Sequence, residues 1–239
     1  MAADGTMFHK IWRRHVVSDL GDGFALIHVD RHILHDLCAR SFATLERRGF
    51  TLRNPELTFA VADHSVSTDP ATDDPNQDRN PDVRLMRDAA AKYGFTHFDV
   101  GQPGHGIVHV MAPEQGLSLP GFTVACADSH TCTNGALGAL AWGVGSGELL
   151  HILATQTGLL RIPQTMRVTI DGRLHAGVTG KDIILYLIGK LGAAGGNGYA
   201  VEYAGSAIRA LPMEGRLTLC NMSVEWGARF GFVAPDDTT

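Results

Sequence analysis

Cysteine is scarce in this sequence, and so is any run of charge or apolarity long enough to act alone. Four cysteines in 239 residues are too few for a disulfide scaffold of this size. Cys38, Cys126, Cys132 and Cys220 include no CxxC pair, so spacing alone shows no metal knuckle. Cys38 and Cys220 read as buried free thiols. No apolar run approaches the length of a membrane span. The opening MAADGTMFHKIWRRHVV lacks the pattern of a secretory leader, and a cytoplasmic setting is the expectation. There is no basic block, and the formal net charge is -5. Nucleic acid and anionic membrane are therefore not the expected partners. No GxSxG elbow precedes a helix, no HExxH frame is present, and neither GAAGGNG nor GVGSGE ends in the GK[ST] of a phosphate loop. The last two read as tight turns.

What is present is ordinary in bulk and unusual in detail. Apolar residues make up 44% and charged residues 19%, enough for one large core or two smaller ones. Twelve histidines and 28 glycines are both many for this length. FALIHVD, LTFAVAD and GFTVACAD read as strands, and MFHKIWRRHVV, DVRLMRDAAAKYG and GELLHILATQT as helices. RHILHDLCARSFATLERRG reads as largely helical with a stop at Gly49, and GALGALAWG as a tightly packed helix. STDPATDDPNQDRNPD, rich in proline and aspartate, reads as a surface loop. After a break at GLLRIPQ come a strand (TMRVTIDG), a helix (GKDIILYLIGKLG), a strand (YAVEYAG), a helix (MEGRLTLCNMSVEWGARFG) and a short strand (FVAPD). Strands alternating with helices predict a layered α/β fold, with a boundary near residues 160 to 166.

The candidate chemistry gathers at strand ends. Asp63-His64 follows one apolar strand and Asp128-Ser129-His130 another. Ligands bind at the carboxyl ends of strands in open α/β sheets, so the two clusters could face one pocket. A buried aspartate fixes its neighbour's imidazole tautomer and raises its pKa, which suits proton donation near neutral pH. Both clusters must then lie in turns, because adjacent strand residues point to opposite faces. The alternative is a capping aspartate beside an ordinary histidine in each. His105 and His109 are spaced i, i+4, and one active-site histidine beside one structural histidine fits them better than a zinc pair. Asn221 and Glu225 share that spacing on a predicted helix whose apolar flanks suggest a buried polar role.

These residues sit within longer stretches that resemble the aconitase superfamily. FAVADHSVST, GIVHVMAPEQGLSLPGFTVACADSHTCTNGALGALAWG, HILATQT and the run from GVTGKDIILYL to FVAPDDTT carry the likeness, in the family's order and from about residue 9 onward. Within the superfamily they look most like the large subunits of the isopropylmalate dehydratase branch. The resemblance implies a three-layer aconitase-type α/β domain with a mixed sheet over residues 1-163, and a smaller α/β domain over 164-239. It implies a hydro-lyase that moves a hydroxyl group within a small hydroxy-dicarboxylic acid by dehydration and rehydration, as in leucine biosynthesis. It implies catalytic roles for Asp63, His64, His109, Asp128, His130 and Glu225, and substrate contacts for Ser129 and Asn221. Asn221 and Glu225 would line the side facing a [4Fe-4S] cluster, whose non-cysteine iron acts as a Lewis acid.

The sequence departs from that pattern in two ways. Cys132 and Asn134 stand where the branch usually has serine or alanine and then histidine, which points to a different hydroxy acid. The family's cluster cysteines, in a third domain, are not found here. The CTN at Cys132 lies inside the Asp-Ser-His motif and is not that ligand, so Cys126 and Cys132 are expected to pack around the pocket. The chain is thus expected to be about half of a large subunit, to hold no metal alone, and to be inactive without the cluster domain and the separate small subunit. Two other readings stay open: a short subunit completed by a cluster-bearing partner, and a non-catalytic binding or regulatory relative.

Overall fold

In a computed structural model, residues 5-69 and 71-239 are described; Pro70, in the acidic loop, and the first four residues lie outside them. The chain opens with helix α1 (Met7–His15). Thr6 caps it by accepting from the His9 backbone N–H, and Phe8, Ile11 and Trp12 form its buried face. Strands β1 (Val16–Gly21) and β2 (Phe24–His28) form an antiparallel hairpin. Its turn uses Asp22 and Gly23, both at positive φ. Strand β3 (Arg31–His35) then enters the main sheet, followed by a 3-10 turn at Asp36–Cys38 and helix α2 (Arg40–Arg47).

Strand β4 (Thr58–Val61), helix α3 (Pro81–Tyr93), strand β5 (Thr96–Phe98) and helix α4 (Val108–Glu114) come next. Strand β6 (Thr123–Cys126) follows, then a 3-10 segment over Ser129–Leu137, strand β7 (Leu140–Gly143) and helix α5 (Ser146–Thr155). The main sheet runs β5-β4-β3-β6-β7, and all four pairings are parallel. Its order reverses beside β3, because the chain winds outward through β4 and β5 and returns to β6 on β3's other side. Such a reversal leaves a crevice at the carboxyl ends of the strands. There the turns after β3, β4 and β6 meet.

Strand β8 (Thr157–Arg161) pairs antiparallel with β2. The rest comprises strand β9 (Gln164–Thr169), helix α6 (Gly180–Leu191), strand β10 (Tyr199–Ala204), helix α7 (Ser206–Arg209), helix α8 (Met213–Asn221) and strand β11 (Phe230–Val233). These last strands form a parallel sheet in the order β11-β10-β9. Its core includes Ile184, Val201, Tyr203, Leu219 and Trp226. Phe230 joins it to the main body, packing on Trp142 with centroids 6.1 Å apart and on Phe8 at 5.9 Å. The fold is mixed α/β, with antiparallel and parallel pairing in separate sheets.

Several elements differ from the sequence reading. Arg31–His35 is the central strand, not the start of a helix. Its pattern of burial, with four of five residues buried, is that of a strand covered on both faces, which periodicity alone does not separate from a helix. Leu140–Gly143 is a strand, and the segment before it is 3-10 rather than α. GLLR belongs to strand β8 rather than a break. The main sheet is parallel throughout, not mixed. Helix α8 ends at Asn221, so Glu225 lies in the turns beyond it.

Candidate active site

Two flanking strands of the central β3 deliver the acid/base groups. The turn after β4 carries Asp63 and His64, and the turn after β6 carries Asp128, Ser129 and His130. Outside regular strand geometry the paired residues are free to converge. His64 lies between two carboxylates: Nδ1 is 2.6 Å from Asp63 Oδ1 and Nε2 is 2.9 Å from Asp128 Oδ2. The second oxygen of Asp128 accepts from His109 Nε2 at 3.0 Å and from the His130 backbone N–H at 2.6 Å. Asp63 Oδ2 accepts from the Val108 backbone N–H at 2.7 Å, which ties the start of α4 to the same group. Asp63, His64, Asp128 and His109 therefore form a chain that α4 closes on itself.

His130 begins a second arm. Its Nε2 lies 2.8 Å from Glu225 Oε1, and Ser129 Oγ is 3.1 Å from its Nδ1. With Nε2 donating to Glu225, Nδ1 is placed to accept from the Ser129 hydroxyl. Asn221 Nδ2 donates to Thr133 Oγ1 at 2.8 Å, and its carbonyl faces Cys132 Sγ at 3.4 Å. Asn221 thus binds the wall of the site from the C-terminal sheet's side. His105 lies outside these contacts, with Nε2 donating to the Ala62 carbonyl at 2.7 Å.

The electrostatics follow from these contacts. Burial alone would lower the His64 pKa, but the hydrogen bonds and charges of Asp63 and Asp128 outweigh it and raise the value. Burial pushes the Asp128 carboxyl up, yet the bonds from His109, His64 and the His130 N–H together hold it well below the usual carboxylate range. The two contacts suit an imidazole that donates from both nitrogens to two carboxylates.

Sequence reasoning missed the support beneath this site. Asp36, fully buried, accepts from the backbone N–H groups of Asp63, His64 and Ser65, each at 2.9 Å, and from the Ser65 hydroxyl. His35 stacks on His64 with centroids 3.8 Å apart and planes 18° from parallel. A usable signal was the pair of polar residues ending an otherwise buried stretch, HILHD.

Two ligand questions have physical answers. Ligand atoms of His35, Asp36 and His64 lie within 4.8 Å of one another. Asp36 already accepts from four donors, both His64 nitrogens hold carboxylates, and the rings are stacked, so the group does not suit a cation. The thiols do not suit an iron–sulfur cluster either. Cys38, Cys126 and Cys220 each belong to a different apolar core. Burial pushes the Cys38 and Cys132 thiols up to about 12, and Cys126 and Cys220 well above the ordinary value. No helix among the described residues is long and apolar enough to cross a membrane.

With this geometry in hand, likeness to known proteins becomes informative. The chain is 56% identical over 235 residues to the 3-isopropylmalate dehydratase large subunit 1 of Bradyrhizobium diazoefficiens. That match takes in 98% of this chain and 49% of the relative, so the chain spans about half the relative's length. Residues 9–239 match the model described as Aconitase family (aconitate hydratase), and the chain belongs to the aconitase family.

Proposed function

We propose that these residues form the acid/base wall of an isopropylmalate dehydratase-type hydro-lyase active site, acting on a small hydroxy-dicarboxylic acid. The observation that carries the reading is the 2.9 Å contact between His64 Nε2 and Asp128 Oδ2, which joins two strand-end turns 64 residues apart. Dehydration needs one group to protonate the departing hydroxyl and another to take a proton from the adjacent carbon; rehydration reverses both. His64, held as an imidazolium, is the acid. A substrate hydroxyl arriving at Nε2 replaces Asp128 as acceptor, receives the proton and leaves as water. Asp63 keeps Nδ1 protonated and orients the ring. Asp128, relieved of His64, stays anchored by His109 and the His130 N–H.

His130 and Glu225 form a second proton-handling pair, with Ser129 and Asn221 contacting the substrate. Residues 1-163 and 164-239 act as two α/β units, the second bringing Asn221 and Glu225 to the site. A [4Fe-4S] cluster would be held by thiols outside these residues, in the remainder of a protein of the relative's length. A small subunit would complete the enzyme, in a cytoplasmic setting and in leucine biosynthesis.

The test is turnover. The complete protein, assembled anaerobically with its small subunit, is expected to interconvert 2- and 3-isopropylmalate. Failure of that assembly to dehydrate any hydroxy-dicarboxylic acid would overturn the reading.

A further inference from the structure

We propose that His35 and Asp36, at the end of the central strand, act together as a clamp that positions His64 for proton transfer. The inference rests on the reading of His64 and Asp128 as the proton-handling pair. Neither residue touches a reacting atom; both act through His64, and both are therefore positioning residues.

Strand β3 lies between β4 and β6, so its end reaches the turns of both. Asp36 takes the β4 side. Its two oxygens accept the N–H groups of three successive residues, Asp63, His64 and Ser65, along with the Ser65 hydroxyl. Without Asp36 those three N–H groups would lose the acceptor that fixes the turn. The hold is strongest for a charged carboxylate. Burial works against that charge, but the Ser65 hydroxyl and the backbone donors outweigh it and keep the Asp36 carboxyl below its ordinary range.

His35 takes the β6 side. Its Nε2 donates to the Ala127 carbonyl at 3.2 Å, next to Asp128. That bond places the proton on Nε2 and leaves Nδ1 bare, and Nδ1 is buried without a partner. The ring lies flat on His64. Burial and the neighbouring His64 charge lower the His35 pKa, so a neutral ring faces the imidazolium. Two adjacent residues of one rigid strand thus reference the Asp63–His64 turn and the Ala127–Asp128 turn to each other. The His64-to-Asp128 distance is set by β3.

The test uses the complete protein with its small subunit and compares Asp36→Asn, His35→Ala, His35→Phe and His64→Gln, with kcat normalised to the folded fraction. Asp36→Asn keeps the shape but turns an NH2 group toward backbone donors. It is expected to lower kcat about tenfold to a hundredfold, the scale of a catalytic group misplaced by about 1 Å, with KM within about twofold. His35→Ala is expected to lower kcat likewise, and His35→Phe, which restores the stacked ring, to recover most of the loss. Where Asp36→Asn does not fold, the two His35 variants decide. Folded Asp36→Asn and His35→Ala enzymes with wild-type kcat, beside an inactive His64→Gln, would overturn the clamp alone. Full activity in His64→Gln would remove the relay and the clamp with it.

Discussion

At the scale of the residue, Asp128 is the hub. It takes His64 on one oxygen and His109 and a backbone N–H on the other. His109 is almost buried, and its Nδ1 has no partner, so its one polar contact is with Asp128. Replacing it by leucine leaves that oxygen with the backbone N–H alone and weakens the grip on the carboxylate. His109→Leu is expected to cut kcat by about a hundredfold, the lower end of acid/base loss, in steady-state assays of the complete protein. An unchanged kcat would take His109 out of the site. Asp63, His64 and Asp128 are legible in sequence because each ends an apolar stretch, where a strand must stop and deliver its polar residues. Asp36 is not legible in that way. It follows HILH, whose short apolar run suits a helix and a buried strand equally.

At the scale of the element, the site depends on how closely two backbones approach. Gly143, at the end of β7, lies against the turn after β6. A Cβ there would come within 2.6 Å of the Asp128 carbonyl oxygen and 3.0 Å of the Ser129 Cα. Neither backbone atom can swing aside as a side-chain tip would. Gly143→Ala is expected to push the Asp128–His130 turn outward. It should cost about 1–3 kcal/mol of stability, the usual range for overpacking, measured by denaturant unfolding, and should lower kcat further than the unfolded fraction explains. Why β7 needed the structure to be seen is also local. Its residues, LAWG, are too few and too apolar to show an alternating pattern, and the glycine-rich 3-10 segment before it imitates a helix of small residues. Glu225 shows the opposite case. Asn221 and Glu225 both come against the segment that follows β6, but not through the shared helix face their spacing predicts. The helix stops at Asn221, and Glu225 reaches His130 from turns beside the fully buried Trp226.

At the scale of the whole molecule, titrating groups shape stability against pH from both sides. His32 is fully buried, neither ring nitrogen has a partner, and burial lowers its pKa to about 3. The unfolded chain therefore binds a proton there that the native state refuses. Stability falls as pH drops from 6.5 towards 3. Asp30, Asp36, Asp128 and Asp236 all have lowered carboxyl pKa values. Their contributions are whole above the unfolded carboxylate value of about 3.9 and drain as pH falls through the folded ones, which for Asp236, paired with Arg216, is about 2. His15 and His64 are raised, so their contributions are whole below 6.5 and are lost as pH climbs through their folded values. Thermal melts of the complete protein are expected to show a drop in two stages on the acid side. His35 and His97 are lowered by burial as well, so His32→Leu should weaken the first stage rather than abolish it, and add about 1–3 kcal/mol near neutral pH, the cost of an unpaired buried polar group. A slope between pH 6.5 and 4 undiminished from wild type in that variant would assign the proton uptake to the other histidines.

The His130–Glu225 contact spans 95 residues and joins a turn of the main sheet to the segment leading into β11. Between two half-exposed side chains such a bond adds little stability. Its worth lies in what it connects rather than in the energy it supplies. It is a strut between two folded parts: a variant without the Glu225 carboxylate would remove one tie between the Asp128–His130 turn and the segment before β11 while leaving both apolar cores untouched.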